Sequence, residues 1–295
     1  MRTPSTTGAM RTMLFVPGDS QRKFAHAITG AADALILDLE DSVAAAGKEA
    51  ARGTVRAMLQ GERGRQAIYV RVNALDTGLT LGDLAAVIPG APSGIVLPKS
   101  ASADDVALVS AWLDGLEAAH GVPQGTTRII PIATETAVSI FGLASYRSAG
   151  PRLHAMMWGA EDLSASIGSV SNREGRQFNT PYMLARDMCL IAAAAAGVLA
   201  IDTVFTDIDD IEGLRLEAQA ACRDGFATKA VIHPKHVDPV NQAFMPGEAE
   251  LVWARAVVAI FENPGTGVQT LDGKMIDKPH LRAAERILAR AVLAG

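Results

Sequence analysis

Cysteine is scarce in this chain: Cys189 and Cys222 are the only two in 295 residues, far apart and without a C-x-x-C pair. A disulfide framework and a thiolate zinc site are thereby excluded, and a reducing cytoplasm fits best. Positive charge is also in short supply, with 27 Lys and Arg against 32 Asp and Glu, a net charge of -5 and no basic block. That balance argues against a nucleic-acid groove or an anionic membrane surface as partner, so an anionic substrate must meet a local cluster of Arg and Lys. The longest uncharged apolar run, Met188 to Ile201, has fourteen residues broken by Gly197. It is too short to span a bilayer and reads as a buried helix followed by a strand. The opening "MRTPSTTGAMRT" has no apolar h-region, hence no secretory signal, and residues 1–10 are expected to form a short disordered leader. Neither G-x-G-x-x-G after the first apolar run nor G-x-x-x-x-G-K-[ST] anywhere is present, so both common nucleotide fingerprints are missing.

What the chain does have is alternation. Short β-branched or Leu-rich runs recur: "MLFVPG" (13–18), "ALILDLED" (34–41), "AIYVRVN" (67–73), "SGIVLPK" (93–99), "RIIPIATE" (128–135), "LHAMMWGAED" (153–162), "LAIDTVF" (199–205) and "KAVIHP" (229–234). Between them lie segments such as "SQRKFAHAITGAA", "KEAARGTVRAMLQ" and "IEGLRLEAQAACRDG", whose apolar spacing suits amphipathic helices packed on a parallel sheet. Eight such pairs match the size of a (β/α)8 TIM barrel, for which ~250 residues is typical. The competitor is an open doubly wound sheet with a second domain, against which the missing nucleotide fingerprints speak. The barrel is expected over residues 11–262, with the polar stretch "SVSNREGRQFNT" (169–180) as an inserted loop. After "NPGTGVQTLDGKMIDKPH" breaks the helical pattern, "HLRAAERILARAVLA" reads as an amphipathic helix, so residues 263–295 form a C-terminal cap or oligomer arm.

Polar residues gather where these runs end, and in such barrels the active site lies at the C-terminal mouth. Run two ends in Asp38, Glu40 and Asp41; run three carries Arg71 and Asn73; run four ends in Lys99; run five in Glu135; run six in Glu161 and Asp162; run eight in His233. Asp38 and Glu40, two apart, project to one face of a continuing strand, with Asp41 on the other face or in the loop. Crowded carboxylates repel unless a proton or cation neutralises them, and without Cys or His nearby hard oxygen ligands favour Mg²⁺ over zinc. Glu135 and Asp162, on adjacent run ends, are best placed to bind it. Each residue also has a plainer reading: Asp41 and Asp162 as helix N-caps, Arg71 as the neutraliser of a buried carboxylate, and His233 as a packed histidine.

The stretches "MLFVPGDSQRKFAHA", "ADALILDLEDSVAAAGKEAAR", "YVRVNALDT", "IVLPKS", "IIPIATETA", "MMWGAEDLSASIG", "AIDTVFTDIDD", "AVIHPKHVDPVNQAF" and "LDGKMIDKPHLRAAERIL" run in order from about Arg11 to Ala291. Together they resemble the citrate lyase β-subunit family of CoA-ester lyases, of the malyl-CoA and citramalyl-CoA lyase type. The resemblance implies a Mg²⁺-dependent barrel that cleaves or forms the C–C bond of a β-hydroxyacyl thioester. It implies Glu135 and Asp162 as Mg²⁺ ligands, Arg71 as stabiliser of the thioester enolate, and the backbone amides of Gly159, Ala160 and Glu161 as holders of the keto-acid carboxylate. Asp277 resembles a catalytic acid that reaches into a neighbouring subunit's site, which implies a homo-oligomer, trimer or hexamer; its plainer reading is a helix N-cap. Asp38, Glu40 and Asp41 would help order water and protons. Arg22, Lys23 and Lys99 would contact CoA phosphates, with Phe15 bordering the adenine. Two positions depart from the family pattern: His236 stands where Gln is usual, and "ATETA" replaces "IES" around the ligand Glu.

The expected function is a stand-alone lyase releasing acetyl-CoA with pyruvate or glyoxylate from citramalyl-CoA or malyl-CoA. The alternatives are a citrate lyase β subunit acting on citryl bound to an acyl carrier protein, a CoA-independent metal-dependent aldolase, and a non-catalytic barrel. Retention of Arg71, Glu135, Asp162 and Asp277 together speaks against the last.

Overall fold

The apolar runs form eight parallel strands: β1 (Thr12–Pro17), β2 (Ala34–Asp38), β3 (Ala67–Arg71), β4 (Gly94–Leu97), β5 (Arg128–Pro131), β6 (Ala155–Met157), β7 (Leu199–Asp202) and β8 (Thr228–Val231). In the computed structural model, which describes residues 10–262 and 267–291, each strand pairs with its sequence neighbour and β8 returns to β1. Between β5 and β6 the ring closes through isolated parallel bridges, Ile129 with Leu153 and Ile132 with Met157. Cyclic sequential order is a barrel, not a doubly wound open sheet, whose strand order reverses at a switch point.

Strand alternation sorts side chains into two layers. Ala34, Ile36, Tyr69, Val96, Ile130, Met157, Ile201 and Ala230 point inward and fill the barrel with Met13. Leu35, Leu37, Val70, Leu97, Trp158 and Val231 point outward beneath the helices. Those helices carry the amphipathic spacing expected of them, as in Lys48–Gln60, which buries Ala51, Val55, Met58 and Leu59, and Ile211–Asp224, which buries Leu214, Ala218 and Ala221.

Two boundaries differ from expectation. The leader lies outside the described residues except Met10, which is 8% exposed, packs in the barrel interior and accepts a hydrogen bond from Thr228 at its carbonyl. The helix Glu248–Phe261, expected within the barrel, shares a separate core with the C-terminal helix Lys278–Ala291, built from Ala254, Val257, Ile276 and Ala284. Interleaved apolar faces, rather than the break in helical pattern, set that division. A short antiparallel hairpin, Gln269–Leu271 with Lys274–Ile276, leads into the last helix; part of the breaking stretch, residues 263–266, lies outside the described residues. The insertion over 169–180 is likewise a hairpin, Arg173–Glu174 with Gln177–Phe178. Among the described residues no helix is long and apolar enough to cross a membrane.

On the strand N-terminal side, opposite the mouth, Glu117 is fully buried and receives hydrogen bonds from the backbone of Gly125 and Thr127 and from Arg152. Burial alone would favour its neutral form, but these donors outweigh it and hold the carboxyl down at about 2. A carboxyl depressed from 4.5 to about 2 stabilises the fold fully above the unfolded value and loses that contribution as pH falls through the folded one. Glu117→Gln should therefore cost about 3 kcal/mol at pH 7, because Arg152 loses its buried counter-charge. In urea titrations the gap between variant and parent should narrow as pH drops from 4.5 towards 2; a gap independent of pH would show that the charge contributes nothing.

Candidate active site

The strand ends enclose a cavity of about 400 Å³ whose lining includes Phe15, Asp38, Asp41, Arg71, Glu135 and the stretch Trp158–Asp162. Its organising cation is Arg71. Register pairs Arg71 with Asp38 across β2 and β3, and the guanidinium grips that carboxylate with two bonds, Nε to Oδ1 at 2.7 Å and Nη2 to Oδ2 at 2.8 Å. Asp38 also accepts from the N–H groups of Glu40 and Ser42. Burial raises its pKa, yet the Arg71 bonds and these donors prevail and hold it below the ordinary carboxylate value. Gly18 makes room for this corner: its N–H donates to the Asp38 carbonyl at 2.8 Å, and a Cβ there would stand 2.5 Å from that oxygen.

Asp38 is thus an anchor for Arg71 with its oxygens already engaged, not a free carboxylate ordering water as the sequence led us to expect. Asp41 stays at the rim, with its side chain 62% exposed and 3.6 Å from Arg71 Nη1. Neither is the cap of a following helix: the 3-10 turn Ala45–Gly47 begins after Ala44 without a side-chain cap. Asn73 turns away and binds Asp83 through both its N–H and its amide.

Glu40 is buried between two cations. Its Oε1 accepts from Lys99 Nζ at 2.6 Å, while its Oε2 stands 2.9 Å from Arg71 Nη1 without an aligned hydrogen bond. Burial pushes its pKa up in spite of both partners. Lys99 is where expectation and structure part. It does not line the cleft that holds Arg22 and Lys23; its ammonium sits between Glu40 and Asp162, 3.3 Å from the latter. Its backbone is left-handed, with φ of 52°, and aims the Lys99 N–H at Glu135 Oε2, 2.6 Å away. A non-glycine residue held in that region stores strain, which is most often found where a site needs a backbone group in one direction.

Glu135 is 5% exposed, and burial, then the charges of Glu40 and Asp162, push its carboxyl up to about 8 despite the Lys99 N–H. Its place depends on Gly159, where a Cβ would stand 2.8 Å from Glu135 Cγ. Thr134 fastens the two strand ends together: its hydroxyl accepts from the Gly159 N–H at 2.9 Å and donates to the Gly159 carbonyl. The Gly159 N–H, expected to hold a substrate carboxylate, is therefore already engaged, while Ala160 and Glu161 remain on the cavity wall. Asp162 lies in the first turn of the helix Glu161–Ile167.

Could this pair hold a metal ion? Among the described residues no group of three or more His, Cys, Asp or Glu side chains is arranged as a closed metal site. Two carboxylates facing one cavity, one of them driven towards its neutral form by burial and by neighbouring carboxylates, instead suit a hard cation that completes its shell with water and substrate oxygens.

A second cavity of about 530 Å³ adjoins the first, sharing Phe15, Pro17 and Ile232, and is lined by Arg22, Lys23, His26 and His233. His233 accepts from the Lys235 N–H at its Nδ1. His236 is fully buried against Phe205 with its Nε2 facing the Ile208 carbonyl, and burial lowers its pKa. Asp277 lines neither cavity of its own chain; on the arm its Oδ1 lies 2.6 Å from His280 Nδ1, and its carbonyl accepts from the His280 and Leu281 N–H groups. Two groups escaped sequence reading altogether, the Thr134 clasp and a buried Asp202–Lys229 pair; a charge inside the apolar runs "LAIDTVF" and "KAVIHP" was the available signal for the latter.

Comparison with known proteins supplies the family. Residues 11–234 match the model of the HpcH/HpaI aldolase/citrate lyase family. The citrate lyase subunit beta of Escherichia coli (strain K12) is 36% identical over 293 residues, covering 98% of this chain and 95% of that one. The (3S)-malyl-CoA thioesterase of Cereibacter sphaeroides (strain ATCC 17025) is 34% identical over 287 residues, 95% and 94% of the two chains. Among solved structures, Mycobacterium tuberculosis CitE in complex with magnesium, acetoacetate and coenzyme A superposes with a TM-score of 0.78 at 36% identity, covering 97% of this chain and 99% of that one.

The left-handed backbone at Lys99 can be checked without any substrate. Lys99→Gly and Lys99→Ala remove the same ammonium, but only glycine adopts this conformation freely, so the glycine variant should be more stable by about 1 kcal/mol in urea unfolding. Equal stabilities would mean that Lys99 is not held at positive φ.

Proposed function

The chain belongs to the HpcH/HpaI aldolase/citrate lyase family, a carbon–carbon lyase family, and we propose that it cleaves or forms the C–C bond of a β-hydroxyacyl-CoA such as citramalyl-CoA or malyl-CoA. The observation that carries this reading is the pairing of two adjoining cavities. One holds the carboxylates Glu135 and Asp162 beside Arg71; the other carries Arg22 and Lys23, as the phosphates of a CoA chain require. Phe15 and Ile232 at the shared wall stand where an acyl chain passes from one to the other.

Glu135 and Asp162 would hold Mg²⁺, as relatives crystallised with magnesium encourage. When bound, the ion supplies Lewis-acid polarisation of the substrate hydroxyl or keto oxygen. In the cleavage direction the hydroxyl gives its proton to a water in the cavity, the bond between its carbon and the thioester α-carbon breaks, a keto acid forms, and the electron pair passes to the thioester as an enolate. Arg71, fixed by Asp38, presents permanent positive charge to that developing oxygen anion. The Ala160 and Glu161 backbone faces the keto-acid carboxylate. A carboxylic acid then returns a proton to the α-carbon. Asp277 is proposed for that step from the arm of a second copy, which makes the working protein a homo-oligomer.

The second reading, a citrate lyase β subunit acting on a carrier-bound citryl group, draws on the E. coli relative and uses the same chemistry. The deciding assay measures acetyl-CoA release from citramalyl-CoA and malyl-CoA with Mg²⁺ and with the metal chelated. Metal-dependent release from either supports the stand-alone enzyme. No release from either, with turnover of citryl-carrier, transfers the assignment to the second reading. Asp162→Ala should lower metal-dependent turnover by at least about a hundredfold, equivalent to roughly 3 kcal/mol of lost charge stabilisation, with the fold intact by circular dichroism. Retained activity would sink the ligand assignment. Asp277→Ala should lower turnover more than it weakens binding of the CoA ester, and mixing it with Asp162→Ala should restore activity if the acid crosses between subunits.

A further inference from the structure

A fully buried lysine needs a reason, and Lys229 has no role in the chemistry above. It projects from β8 into the outer layer, where its ammonium binds Asp202 Oδ2 at 2.7 Å, the Thr203 carbonyl at 2.7 Å and Glu217 Oε1 at 2.9 Å. The contacts continue in both directions until they meet. On one side Asp202 Oδ1 accepts from Trp158 Nε1 at 2.6 Å. On the other, Glu217 Oε2 pairs with Arg173 Nη2 at 2.7 Å, and the Arg173 guanidinium lies 3.4 Å from the centre of the Phe178 ring. Phe178 in turn stands edge-on to Trp158, with ring centres 5.0 Å apart. The ring is closed: it joins the residue after β6, the end of β7 and the start of β8 to the inserted hairpin. A second tie runs from Asn172 Nδ2 to Glu161 Oε1 at 2.8 Å.

We infer that the inserted hairpin is a brace for the metal-binding edge of the cavity, with Arg173, Glu217, Lys229 and Asp202 as positioning residues that fix Trp158 and, through the four residues that follow it, Asp162. The inference rests on the reading of Glu135 and Asp162 as the Mg²⁺ pair. Its physical basis is that Trp158 directly follows β6 and lies in the outer layer while Gly159–Asp162 form the cavity wall, so a rotation of the indole moves the backbone that carries the ligand. A buried ion pair is a weak source of stability but a strict source of geometry, because each partner left unmatched is costly. Groups that orient metal ligands from behind typically contribute tenfold to a hundredfold in affinity or activity.

The test is titration of the full-length protein with Mg²⁺ alone, followed by calorimetry and by the Mg²⁺-induced rise in melting temperature. Arg173→Ala opens the ring at a partly exposed residue and leaves the buried Lys229–Asp202 pair in place. It should raise the Mg²⁺ dissociation constant about tenfold, while the apparent affinity for CoA ester changes less than twofold. Arg173→Lys should recover part of the loss by restoring the pair with Glu217. The double variant with Glu217→Gln should be no worse than the poorer single one, since both break the same ring. Arg173→Ala with a lower melting temperature and unaltered Mg²⁺ affinity would overturn the brace and leave the site reading intact. Failure of the unsubstituted protein to bind Mg²⁺ would overturn both.

Discussion

Excess negative charge at the barrel mouth is the constraint around which the rest is arranged. Asp38, Glu40, Asp41, Glu135 and Asp162 converge there against two cations, Arg71 and Lys99, so five carboxylates face two counter-charges. Asp38 takes most of the guanidinium, and Glu40 shares what remains with Lys99. Glu135 is left with a backbone N–H, and burial, then the charges of Glu40 and Asp162, outweigh that bond and push its carboxyl up. The unusual backbone of the region follows from this shortage. Lys99 adopts positive φ to deliver its N–H to Glu135, and Gly18 and Gly159 allow chain and carboxylate to approach more closely than any Cβ permits.

The alternation of a β-strand decides which charges serve the mouth and which brace it. Ile36 and Tyr69 fill the barrel, so Asp38 and Arg71, two residues further on, also face inward. Ile201 and Ala230 are inward as well, so the adjacent Asp202 and Lys229 must face the helices. A one-residue slip would exchange these sets, placing Asp38 and Arg71 under the helices and the Asp202–Lys229 pair in the cavity. Thr134, Gly159 and Trp158 sit at the crossing between layers, where the strand ends lose their pairing and side chains take over the work of alignment.

Much of this was legible in the sequence. Eight apolar runs of strand length with amphipathic stretches between them fixed the barrel, because burial periodicity is local. Acidic residues at the ends of those runs marked the mouth for the same reason. What escaped was set by contacts between elements distant in the chain. Lys99 reads as a free cation after a strand, and only the packing of β2, β4 and β6 ends around one axis shows that Glu40 and Asp162 enclose it. Asp38 reads as one of three equivalent acids until register across β2 and β3 gives it Arg71. The helix Glu248–Phe261 has the spacing of a barrel helix; its partner lies beyond the break, and apolar spacing does not name the surface it will cover.

The fate of each acid bears on how many chains a complete site needs. Under the proposed chemistry an acid must return a proton to the thioester carbon, and it must be free to hold one. Asp38 is locked to Arg71 and kept ionised, Glu40 is pinned between Arg71 and Lys99, and in that proposal Glu135 and Asp162 would hold the metal ion. Asp41 is at the exposed rim, 3.6 Å from Arg71 Nη1. Among the described residues of the cavity, then, each buried carboxylate already has a partner or a proposed task. Asp277 is carried instead on an arm with its own small core, outside both cavities of its chain and paired with His280. Under the proposed chemistry, an acid on a separately packed element, next to an imidazole, is suited to presentation at another copy's mouth.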